Sequence, residues 1–108
     1  MIFTANAALM DAIVLSIVSR EGTYGYKITQ DIRAVMEVSE STLYPVLRRL
    51  QRDGFLEVYD QEFAGRNRRY YQITAEGRAQ LAMFQKEWDG YKKRIDSVLD
   101  GGMNNDQK

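Results

Sequence analysis

The chain has 108 residues, with 15 basic and 15 acidic side chains, no histidine and no cysteine, for a formal net charge of +0. One domain with a modest core is expected at this length, and extra burial in an oligomer fits it. The missing cysteine excludes disulfides and thiolate chemistry, and the missing histidine removes the commonest metal ligand and general base, so a zinc site and a Ser-His-Asp triad are both out.

Residues 5–21 read as a helix, with Leu9, Ile13 and Ile17 repeating at i, i+4, i+8 and Ala12, Val14 and Val18 widening the stripe. Thr4 or Asn6 can cap its start, and Gly22 marks its end. Its apolar run, residues 12–18, is far shorter than the ~20 residues of a membrane span. No basic residue precedes Arg20, so no secretory signal is expected and a cytoplasmic location is the default. A second helix is expected from Thr23, with Ile28, Ile32, Val35 and Met36 on its apolar face and Gly25 allowing close backbone approach. Ser39 or Ser41 caps a third helix to about Asp53, burying Leu43, Leu47 and Leu50. Pro45 implies either a start at Ser41 or a kink, and Asp53-Gly54 is a left-handed stop. Residues 55–63 and 68–73 read as two strands around a turn at 64–67, giving a hairpin with a basic tip. Thr74 caps a long last helix to about Leu99, and residues 101–108 read as a loose tail.

The expected fold is mainly α (α+β): a winged helix-turn-helix over residues 1–74, then a C-terminal dimerisation helix over 75–100. A helix-turn-helix sets its second helix in the major groove of double-stranded DNA. The face opposite the leucines collects Ser41, Tyr44, Pro45, Arg48 and Arg52, with Arg49 beside them; Ser41, Thr42 and Tyr44 can donate to phosphates or base edges, and the three arginines can neutralise phosphate or reach guanine. Arg66, Arg68 and Arg69 add a second basic cluster at the hairpin tip. The neutral total looks discouraging for DNA, but it is not evenly spread. Residues 41–54 hold three arginines against one aspartate, and residues 64–73 hold three arginines against no acid. A solvated basic face and a solubilising turn are the plainer readings of each cluster alone; together they favour DNA.

In the last helix Leu81, Phe84, Trp88, Tyr91, Ile95 and Val98 are spaced 3, 4, 3, 4, 3, an a/d seam suited to a second copy of the chain. A helix of ~25 residues is ~37 Å long, too long to be covered by so small a domain. Part of the seam can pack on the first helix. Trp88, with Phe84 and Tyr91 a turn away on either side, fits a packed dimer core or a surface for a planar aromatic effector. Asp60 and Glu62 lie i, i+2 with no nucleophile or metal cluster nearby, so no enzyme, metal or cofactor is expected.

Tyr24-Gly25-Tyr26-Lys27-Ile28, the run from Ser41 to Leu50 containing Thr42-Leu43-Tyr44-Pro45, Asp53-Gly54, and the run from Gly65 to Gly77 together resemble the PadR family of bacterial transcriptional regulators. The likeness runs from about residue 9 to 99, and the single C-terminal helix resembles the short subfamily. It implies a homodimeric winged helix-turn-helix, usually a repressor, with DNA contacts from Ser41, Thr42, Tyr44 and Arg48 and from Arg66, Arg68 and Arg69. In a multidrug-sensing branch a tryptophan of the last helix lines a pore at the dimer centre, and Trp88 holds the similar place. A winged helix that binds protein rather than DNA is the alternative.

Overall fold

The computed structural model describes residues 3–101, so the expected tail lies outside the described residues beyond Gly101. Asn6 starts the first helix, α1 (Ala7–Arg20), by accepting the Leu9 N–H at 2.9 Å. That satisfies one of the backbone donors a helix start leaves open. Then come β1 (Thr23–Tyr24), α2 (Gly25–Arg33), α3 (Glu40–Arg52), β2 (Leu56–Phe63), β3 (Arg66–Ile73) and α4 (Ala75–Leu99). The strands form one antiparallel sheet in the order β1-β3-β2. The architecture is the mainly helical winged helix-turn-helix read from the sequence, with four helices and a small sheet. Among the described residues no helix is long and apolar enough to cross a membrane.

Three local expectations change. Thr23 does not start a helix: Thr23 and Tyr24 are extended and pair with Tyr71 and Tyr70. A β-branched and an aromatic residue suit that role, but the partner strand lies far along the chain, beyond the reach of local periodicity. α2 stops at Arg33, which leaves Val35 62% exposed in the following turn and off the apolar face. The hairpin turn is only Ala64-Gly65, both at positive φ (54° and 79°), so Arg66 and Asn67 belong to the strand. Two such residues between paired strands make the tight turn whose twist matches a hairpin.

The core gathers Val14, Leu15 and Val18 of α1, Ile28 and Ile32 of α2, the three α3 leucines, and Leu56, Tyr71, Ile73 and Leu81. α4 is fastened at its first turn. The Thr74 hydroxyl accepts the Gly77 N–H at 2.9 Å and donates to the Gly54 carbonyl at 2.7 Å, while the Thr74 N–H bonds the Phe55 carbonyl at 3.1 Å. Gly77 is the residue this joint requires, because a Cβ there would overlap the Phe55 carbonyl oxygen. Beyond the joint, Leu81 is buried and Phe84 packs on the core, whereas Trp88, Tyr91, Ile95 and Val98 are exposed. The molecule accordingly measures 66 × 30 × 20 Å.

Candidate nucleic-acid interface

α3 begins at Glu40, one residue ahead of Ser41, and runs through Pro45. Proline cannot bond the carbonyl four residues back, so the Ser41 carbonyl on the exposed side is left for other donors. Ser39 is the cap: its hydroxyl accepts the Thr42 N–H at 3.2 Å and lies 2.9 Å from the Ser41 hydroxyl and 3.1 Å from that of Thr42. The two hydroxyls expected to meet DNA are thus exposed and tied to the same capping residue. The helix-turn-helix corner before them is pinned by Arg33, whose Nε donates to the Val38 carbonyl at 3.0 Å.

Tyr44 lies half-buried against the start of α2. A Cβ on Gly25 would stand 2.8 Å from a Tyr44 ring carbon, so the close approach expected at Gly25 is made to the recognition helix. Pro45 and Arg48 are exposed on the same helix. Arg48 and Arg69 both act on Tyr71: burial pushes the Tyr71 hydroxyl above its usual pKa, and the two guanidiniums pull it partly back. Tyr71 thus lies within electrostatic range of one arginine of α3 and one of the wing.

Arg49 behaves differently. Its guanidinium is held by Asp11 of α1 through two hydrogen bonds, Nη1 to Oδ2 at 3.0 Å and Nη2 to Oδ1 at 2.5 Å. Hydrogen bonding to that carboxylate raises the Arg49 pKa further. Arg49, expected among the DNA contacts, is occupied in fastening α3 to α1. Arg52 sits 3.4 Å from its neighbour Asp53.

The wing is less basic than its tip suggested. Register sets Asp60 opposite Arg69, Gln61 opposite Arg68, Glu62 opposite Asn67 and Phe63 opposite Arg66. Glu57, Asp60 and Glu62 thus balance the three arginines, and the hairpin as a whole is neutral. Side chains alternate between faces, which separates the arginines. Arg69 shares the face of Val58 and Tyr71 and lies 3.9 Å from Asp60. Arg66 and Arg68 share the other face with Tyr59, Phe63 and Tyr70. There Tyr59 stacks on Tyr70 at 5.5 Å, Tyr70 meets Tyr24 edge-on at 5.5 Å, and the Arg68 guanidinium carbon sits 4.4 Å from the ring centres of both Tyr24 and Phe63.

The α4 seam divides in the same way. Leu81 and Phe84 face the chain's own core, while Trp88 (44% exposed), Tyr91 (52%) and Val98 (54%) do not. Trp88 and Tyr91 lie 6.1 Å apart, tilted by 40°. Phe84, a turn before Trp88, packs on the core, and the two rings beyond it are exposed. The roles of Asp11, Tyr24 and Phe63 were not anticipated. Only Asp11 left a sequence signal, as a lone acid inside an apolar helix.

A model of the Transcriptional regulator PadR-like family matches residues 14–83. A protein of Streptococcus mutans UA159 with a known crystal structure is 42% identical, with a TM-score of 0.88 and coverage of 94% of this chain and 95% of that one. A PadR family transcription regulator of Clostridium difficile R20291 is 30% identical, with a TM-score of 0.78 and coverage of 83% and 97%. An uncharacterized protein of Lysinibacillus sphaericus is 35% identical over 97 residues, 85% of this chain and 89% of its own length. With the helix-turn-helix, the wing and the long last helix in place, the chain belongs to the PadR-like family of transcriptional regulators.

Proposed function

We propose that the protein is a cytoplasmic, homodimeric repressor that binds a pseudo-palindromic DNA operator and is released by a planar aromatic ligand near Trp88. The observation that carries the DNA reading is the exposure of Ser41, Thr42 and Arg48 on α3 together with that of Arg66 and Arg69 on the wing. It gives recognition helix and wing exposed cations suited to the phosphates beside a groove. Residues 1–74 carry this surface and residues 75–100 the dimer contact. In support of the dimer, Trp88, Tyr91, Ile95 and Val98 continue an a/d seam past the last residues the chain itself covers. A two-fold dimer presents two recognition helices to two half-sites. A ligand wedged at the seam alters their separation, and its effect equals its differential affinity for the two dimer states.

Mobility shift on the DNA upstream of the protein's own gene tests the reading, with salt varied and aromatic compounds titrated. The expected result is binding that weakens steeply with salt and is relieved by a compound that quenches Trp88. Binding insensitive to salt, or unchanged when Arg48 and Arg69 are replaced, would favour the protein-interaction alternative.

A further inference from the structure

We infer that Phe63 and Tyr24 are positioning residues that hold Arg68 as a fixed receptor for a DNA backbone phosphate. The inference rests on the DNA-binding reading above and adds to it the geometry of one contact.

The Arg68 guanidinium carbon lies 4.4 Å from the ring centres of both Tyr24 and Phe63. Tyr24 comes from β1, and Phe63 is the last residue of β2, so the two rings reach Arg68 from different strands of the sheet. Tyr24 is itself braced: its ring meets Tyr70 edge-on, and Tyr70 stacks on Tyr59. Among the described residues no carboxylate pairs with Arg68, although Asp60 faces Arg69 and Asp11 holds Arg49. The chain thus spends two aromatic rings on one arginine while leaving its charge unmatched. Phe63 is 53% exposed, so burial of its ring in the core does not explain its presence.

An aromatic face attracts a cation, and guanidinium suits such stacking better than ammonium. With rings on both sides, the N–H groups remain free to hydrogen-bond. An unclamped arginine loses rotamer freedom on binding, and a clamped one has already lost it. The clamp also selects the ligand. A guanidinium kept at the sheet surface cannot extend to bases at the floor of a minor groove about 7.5 Å deep. A phosphate, at the groove's edge, comes to it and accepts two parallel N–H bonds. Arg66 is exposed at the tip, and among the described residues no pair of rings encloses it as Tyr24 and Phe63 enclose Arg68, so it is the arginine with the longer reach.

The test measures affinity for a labelled random-sequence duplex over a range of salt, because phosphate contact needs no particular sequence. Arg68→Ala should weaken binding about tenfold and reduce the salt slope by about one per wing. Phe63→Leu should keep the slope but weaken binding about three- to tenfold, and Phe63→Tyr, which restores the ring, should stay within about twofold of wild type. Unchanged thermal unfolding of the Phe63 variants separates the effect from loss of fold. An unchanged slope in Arg68→Ala, full affinity in Phe63→Leu, or equal weakness of Phe63→Leu and Phe63→Tyr would overturn the inference. Failure of the wild type to bind any duplex would instead overturn the DNA reading itself, before any variant is compared.

Discussion

Cutting the tie between Asp11 and Arg49 should cost unequal amounts from its two ends. The Asp11 side chain is 13% exposed and that of Arg49 35%. Arg49→Met keeps the apolar stem but strands a carboxylate in a nearly dry site. An unpaired buried charge costs several kcal/mol and an exposed pair is worth under one, so about 2–3 kcal/mol is expected here. Asp11→Asn keeps one acceptor and leaves a guanidinium that can turn to water, so its cost should be about 1 kcal/mol. In the double variant the stranded carboxylate is gone, and the coupling in a double-mutant cycle should reach about 1–1.5 kcal/mol. Urea unfolding at constant protein concentration measures all four proteins. The reasoning fails if Asp11→Asn costs as much as Arg49→Met, or if the coupling falls below about 0.3 kcal/mol. DNA binding supplies a second check. Arg48→Met should lower the salt slope by about one per protomer, and Arg49→Met should leave it unchanged, because Arg49 is engaged within the chain.

Gly77→Ala drives a methyl group into the Phe55 carbonyl and the Ile73 side chain, and calorimetry should show a loss of about 2–4 kcal/mol from overpacking and the strained Thr74 joint. Ala64 holds a left-handed φ of 54°, so Ala64→Gly should raise stability by roughly 0.5–1 kcal/mol in urea titrations without affecting the core. The Tyr71 pKa is raised chiefly by burial. Its contribution to stability is therefore complete below the unfolded value near 10 and is lost as pH rises through the folded one. Tyr71→Phe should flatten the alkaline fall of the unfolding free energy, and an equally steep fall in the variant would count against this assignment.

What was legible in the sequence was whatever local chemistry decides. Asn6, Ser39 and Thr74 cap helices because their own side chains reach backbone donors three residues on, and a heptad pattern is visible in one dimension. What escaped depends on partners far along the chain. Thr23 and Tyr24 are a strand only because Tyr70 and Tyr71 lie beside them. The hairpin tip looks basic when its arginines are counted without the acids of β2, of which register sets Asp60 across from Arg69 and Glu62 across from Asn67, between Arg66 and Arg68. Arg49 was grouped with Arg48 by helical angle, and nothing local says that Asp11 claims it. The same separation hid the rings around Arg68, which come from two other strands. The charge of this chain was legible as a total, whereas its use depends on which carboxylates the fold brings near each arginine.

The Thr74–Gly77 joint gives α4 the mechanics of a lever with its fulcrum near one end. The hydrogen bonds to Gly54 and Phe55 anchor its first turn to the segment leaving α3. Leu81 and Phe84 hold the next turns to the core, and about 22 Å of helix extends past them, so a tilt of some 5° swings the far end by roughly 2 Å. That displacement is more than half the spacing of successive base pairs along a duplex, about 3.4 Å. The gearing also runs backwards: a push of a few ångströms near Val98 arrives at the recognition helix as a turn of only a few degrees, with the leverage multiplied. Rigidity at Gly77 thus sets how much force, and how little travel, the helix can deliver to α3.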